Sequence, residues 1–170
     1  MTRKELVHEV LYMAEDITKK FKPVDGSCLY MSAILAAMIS DNLSVEPRFV
    51  TGSLSVAGSK VFSHQPIKPA LNQKSGLIAQ WDGHSWVEVD DLIFDLSIFR
   101  TVFSEVATPR IKSLFEARFD RRTAYLIGQK STLIEMGIEY TPLELLSDDD
   151  ASIFIQNAVR LGLINSYQSI

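Results

Sequence analysis

The chain has one cysteine in 170 residues, so it can form no intrachain disulfide and Cys28 is left as a free thiol. A lone thiol fits a reducing compartment, and its surroundings decide its role. Basic residues are also in deficit: 17 Lys and Arg stand against 21 Asp and Glu, a formal charge of -4 with a pI near 5.4. That leaves no electrostatic footprint for a phosphate backbone, and nucleic acid is not an expected partner. Long apolar runs are missing too. The longest, residues 29–39, is interrupted by Ser32 and falls short of the roughly 20 residues that span a bilayer. No membrane association is expected. Behind Met1-Thr2-Arg3-Lys4 there is no apolar stretch of secretory type, which makes the cytoplasm the expected location. Repeats, low-complexity tracts and linkers are absent, and nothing sets an oligomeric state.

With 46% hydrophobic and 22% charged residues, the composition is that of an ordinary globular protein, long enough for one domain over 1–170 with a sizeable core. Leu6, Val7, Val10, Leu11, Ala14, Ile17 and Phe21 recur at helical spacing and predict a helix over 3–21, stopped by Lys22-Pro23. Asp25 and Ser27 are both N-cap residue types for a second helix over 28–40. That helix is apolar nearly all round, which predicts burial through the centre of the domain. Residues 46–55 read as a strand, and 56–76 as a long loop of the kind that forms a lid or rim. Two strands follow, about 77–89 and 92–96, joined at Asp90-Asp91. Beyond Ser97 a helix is expected over 102–120 and a strand over 123–128, with 128–141 ambiguous. Thr141-Pro142-Leu143-Glu144 reads as a capping-box helix start, and a last helix is expected over 149–161, ending at Gly162.

The chemistry concentrates in three residues. A thiol attacks as thiolate, and Cys28 is placed at the first turn of the central helix, where unpaired N–H groups and the macrodipole favour negative charge. Gly26 beside it would let a substrate approach closely. The plain alternative is that Cys28 is a small buried hydrophobe. A two-residue turn at Asp90-Asp91 pairs Val89 with Leu92, Val87 with Phe94, and Trp86 with Asp95. His84 and Asp95 then share a face as diagonal neighbours roughly 7–8 Å apart, within side-chain reach. Val87, Val89, Leu92, Phe94 and Leu96 take the opposite face and pack on the core, leaving the His-Asp face turned outward to a cleft. A nucleophile, a base and an orienting carboxylate are the parts that thiol catalysis requires. Trp86 lies on the His84 face and is a candidate cleft wall, or simply core. Asp82 and Glu88 are expected to face solvent. His64 and His8 need no function, and no spacing supports a metal site.

Gly26-Ser27-Cys28 opening an apolar helix, Glu46-Pro47-Arg48-Phe49-Val50-Thr51-Gly52, Gly83-His84-Ser85-Trp86-Val87-Glu88-Val89 and Ile93-Phe94-Asp95-Leu96-Ser97 together resemble the transglutaminase-like core of the papain-like superfamily. The resemblance covers about residues 24–97, and 98–170 would be a helical C-terminal extension. It implies an α+β fold, with a nucleophile-bearing buried helix packed on an antiparallel sheet. It also implies a thioester formed on Cys28, a proton shuttled by His84, a tautomer held by Asp95, no cofactor, and a peptide or protein substrate. Relatives of similar size include small bacterial peptidases. Two departures stand out. No glutamine precedes Cys28 in the papain manner, and the Arg-Gly-Gly and Cys-x-Glu pattern of arylamine N-acetyltransferases is missing, which disfavours an acetyl-CoA role. Hydrolysis of a peptide or protein amide by a Cys28-His84-Asp95 triad is the leading expectation, with transamidation or deamidation by the same triad, or peptide binding without chemistry, as alternatives.

Overall fold

The computed structural model of the chain describes residues 1–22, 24, 27–71, 81–105, 107–120 and 122–167. Helix α1 (Arg3–Lys20) opens with a capping box: Thr2 accepts from the Glu5 N–H while the Glu5 carboxylate accepts from the Thr2 N–H. Helix α2 (Cys28–Asn42) buries residues on every side, from Leu29 to Ile39, as its lack of a polar stripe requires. Strands β1 (Arg48–Val56), β2 (Ser59–Phe62), β3 (His84–Val89), β4 (Leu92–Asp95), β5 (Leu126–Gln129) and β6 (Ile138–Leu146) make one antiparallel sheet. The helices α3 (Lys68–Leu71), α4 (Ile98–Val102), α5 (Pro109–Glu116), α6 (Lys130–Glu135) and α7 (Asp148–Arg160) complete the described fold, which is α+β. Among the described residues no helix is long and apolar enough to cross a membrane.

Strand β1 organises the sheet. β6 runs along its residues 49–56, so β3 and β2 must share its other edge. β3 takes residues 48–52 and β2 takes 54–56. This places Phe62, opposite Leu54, next to His84, opposite Gly52. Gly52 is required here. A Cβ would stand 2.0 Å from the Thr141 carbonyl oxygen and 2.8 Å from the Trp86 ring, closer than atoms pack.

The β3–β4 hairpin has the register its sequence predicts, with Val89 opposite Leu92 and Val87 opposite Phe94. Asp90 takes a φ of +53° in the turn, a left-handed conformation that aspartate tolerates. Val87, Val89, Leu92, Phe94 and Leu96 join a core built with α1, α2 and α7. The opposite face is covered as well. Trp86 and Ile93 belong to a second apolar cluster with Val50, Leu54, Phe99 and Phe115. The outward-facing His-Asp surface expected from the sequence is therefore corrected. The half of the chain beyond Ser97 returns as α4, α5 and α6 over that face, and every residue of β3 and β4 is buried. Burying each large apolar side chain yields about 1.5–3 kcal/mol, a gain available on this face only because the later helices cover it.

Other expectations shift for local reasons. The loop expected over 56–76 holds a hairpin, β1–β2, turned through Ala57 and Gly58 at positive φ, and the short α3. The strand expected from residue 77 begins at His84, with 77–80 outside the described residues. The helix expected over 102–120 is two short ones, α4 and α5, the second capped by Thr108 with Pro109 in its first turn. Thr141-Pro142-Leu143-Glu144 starts no helix and lies inside β6. Pairing with β1 jumps from Thr51↔Glu144 to Gly52↔Pro142, and a bulge of this kind lets proline sit in a ladder despite its missing N–H. Helix α7 ends at Arg160 with Leu161 as its C-cap, and Gly162 follows at a φ of +67°.

Candidate functional site

Cys28 is the first residue of α2, and Ser27 is the N-cap. The caps of α1 and α7 engage their helices through capping boxes, whereas the Ser27 side chain makes no capping hydrogen bond. Its hydroxyl is buried without a partner. The Ser27 side chain thus leaves the N–H groups of the first α2 turn, where Cys28 sits, without a side-chain cap. Gly26 and Asp25, both named from the sequence, lie outside the described residues.

His84 begins β3 and Asp95 ends β4, and their side chains meet as the hairpin register requires. His84 Nε2 lies 2.5 Å from Asp95 Oδ2. The pair is buried, His84 at 1% and Asp95 at 0% exposure. Asp95 is held from several directions. Its Oδ1 accepts from the Ser97 N–H at 3.1 Å, the Ser97 hydroxyl at 3.2 Å and the Ile98 N–H at 3.0 Å, while Oδ2 also accepts from the Tyr140 hydroxyl at 2.8 Å. A buried carboxylate needs such donors to persist as an anion.

Burial is the largest influence on His84 and by itself lowers the pKa of the imidazole. The charge and hydrogen bond of Asp95, with further contributions from Cys28, outweigh it and raise the pKa from its ordinary 6.5 to about 10. With Nε2 committed to Asp95, Nδ1 is the nitrogen left free. It is buried and has no hydrogen-bond partner. His84 and Asp95 are thus in direct contact, and Cys28, itself 6% exposed, is near enough to bear on the imidazole's pKa without a hydrogen bond to it.

Aromatic rings hold the imidazole in place. Phe62 stacks on it with centroids 4.8 Å apart and planes 16° apart. Trp86 lies behind it at 6.3 Å and Tyr140 at 6.4 Å. Trp86 is fully buried, so its place is behind the histidine, and its indole N–H donates to Glu88 at 3.1 Å. Glu88 does not face solvent as expected. It is buried at 0% exposure, and its other oxygen accepts from Arg48 and Lys130, each at 2.8 Å. Asp82 and His8 are exposed. His64 pairs with Thr51 at 3.2 Å and lies 3.8 Å from Glu144. Glu144 in turn accepts from the Ile67 and Lys68 N–H groups, pinning the segment after β2 to the sheet.

Sequence reasoning missed Tyr140, Phe62, Ser97 and the buried state of Glu88. Ser97 had a local signal, because Asp-x-Ser is an Asx-type turn whose carboxylate takes the N–H two residues on. Tyr140 had none, since its contact with Asp95 spans 45 residues of sequence. Among the described residues no group of three His, Cys, Asp or Glu side chains is disposed to hold a metal ion. No family model, curated protein or solved structure matches the chain.

Proposed function

We propose that the protein is a thiol-dependent acyl-transfer enzyme with a papain-like, transglutaminase-like core, acting as a cysteine peptidase or amidase on a peptide or protein amide. The observation that carries this reading is the nearness of three groups: a helix-start thiol, a neighbouring imidazole with one nitrogen unpartnered, and a carboxylate fixing the other nitrogen. A raised imidazole pKa supports a thiolate-imidazolium pair, the nucleophilic form of cysteine.

In the proposed reaction the Cys28 thiolate forms a bond to the amide carbonyl carbon. His84 Nδ1 gives its proton to the leaving amine as the C–N bond breaks, and a thioester remains. Water then attacks the thioester and passes a proton to Nδ1. The S–C bond breaks, releasing a carboxylic acid and restoring the thiolate-imidazolium pair. Throughout, Asp95 holds the proton on Nε2 and keeps Nδ1 aimed at the sulfur. The Cys28 N–H, at the uncapped start of α2, is a donor for the oxyanion. An amine in place of water gives transamidation with the same residues, and a glutamine side chain as the acyl donor gives deamidation.

The deep burial of Cys28 favours one other reading, a peptide-binding module of the same fold without chemistry. An activated ester separates the two. With p-nitrophenyl acetate, the enzyme reading expects rapid release of p-nitrophenolate and an acetyl-thioester on Cys28 detected by mass. Both should be lost in Cys28→Ala and slowed at least about 100-fold in His84→Ala. Acetylation no faster than that of a simple thiol, and indifferent to His84, would leave the binding module.

A further inference from the structure

Five donors converge on Asp95, and four of them come from the hairpin and the turn that follows it: His84 Nε2, the Ser97 N–H and hydroxyl, and the Ile98 N–H. The fifth comes from elsewhere in the chain. Tyr140 lies on β6, across β1 from the hairpin, and its hydroxyl reaches Asp95 Oδ2 at 2.8 Å. That is the oxygen His84 uses. The Tyr140 ring also packs edge-on to Trp86, with centroids 5.0 Å apart, and lies 6.4 Å from the imidazole. Its direction of approach is therefore set by the rings around it as well as by the bond.

We infer that Tyr140 is a positioning residue of the His84–Asp95 pair, sharing Asp95 Oδ2 with the imidazole and setting how strongly that oxygen holds the Nε2 proton. The inference deepens the proposed acyl-transfer reading and rests on it for its functional meaning. An oxygen that accepts two hydrogen bonds divides its charge between them, so a stronger phenol donor weakens the imidazole's bond and a missing donor strengthens it. Burial first, then the charge and hydrogen bond of Asp95, push the Tyr140 hydroxyl well above its ordinary pKa of 10. It remains a neutral donor wherever the site would work. In catalytic terms, Tyr140 limits the grip of Asp95 on the imidazolium, which must release its other proton to the leaving group. A strand outside the motif-bearing segment would thus tune the base.

The test reads His84 directly and then its effect on the thiol. In the full chain, the Nε2–H proton and the imidazole titration are followed by NMR in the parent and in Tyr140→Phe. In a third protein, 3-fluorotyrosine replaces Tyr140 alone and makes the phenol a stronger donor without removing a contact. Tyr140→Phe is expected to move the Nε2–H resonance downfield and to raise the His84 midpoint by about one pH unit. Fluorotyrosine is expected to move both the opposite way, and it keeps the inference testable where the phenylalanine variant fails to fold. The alkaline limb of Cys28 alkylation should follow each shift in sign. Resonances and midpoints that stay put in folded variants would overturn the inference. Opposite shifts at His84 with a Cys28 indifferent to His84 would uphold the shared carboxylate while overturning the acyl-transfer reading.

Discussion

His84 sits where almost no water reaches it, and Asp95 is the main influence that raises its pKa against burial. Its pKa lies above the unfolded value, 6.5 rising to about 10, so the sign of the linkage is fixed. The stability contributed by its bound proton is fully present below about pH 6.5 and is lost as pH rises through about 10. Urea unfolding of the parent should show stability falling as pH rises toward 10. In Asp95→Asn the carboxylate charge is gone while burial and the smaller influence of Cys28 remain, and the fall should shrink. A parent whose stability is flat across this window would contradict a charged His84. The same environment defines the neighbouring residues. Glu88 remains buried because Arg48, Lys130 and the Trp86 indole together occupy both its oxygens, and Trp86 in turn backs the imidazole.

Among the elements, β1 bears the most constraint, since it pairs with β2, β3 and β6 at once. Gly52 is where this crowding is tightest. Gly52→Ala should cost at least about 2 kcal/mol in urea unfolding, because the Thr141 carbonyl cannot retreat without opening the β1–β6 ladder. The same variant should displace Trp86 and alter the His84 ring resonances. A stability within about 0.5 kcal/mol of the parent would refute the close approach. Patterns internal to one element were legible from the sequence: the all-apolar α2, the hairpin register at Asp90-Asp91, the stop of α7 before Gly162. Patterns that depend on a remote partner were not. Thr141-Pro142-Leu143-Glu144 carries a sound helix-start signal locally, and tertiary pairing to β1 with a bulge overrides it. The meeting of His84 and Asp95 was readable because one short hairpin carries both. Phe62 and Tyr140 were not, because sheet order brings them to the imidazole.

At the scale of the molecule, one sheet separates two apolar layers, and the site sits where the start of α2 meets the end of that sheet. The segment 24–97 holds the residues that would do the chemistry, while the remainder encloses them: α4 to α6 cover the second face and β6 delivers Tyr140. Enclosure strengthens every charge interaction in the site by lowering the local dielectric. The direct measurement is the alkylation rate of Cys28 by iodoacetamide from about pH 5 to 9, in the parent and in His84→Ala, with no substrate needed. A thiolate that reacts well below the free-thiol value of about 8.5, and loses that reactivity without His84, is the result this account expects. A thiol that is inert, or that titrates near 8.5 in both proteins, would contradict it and leave a binding domain.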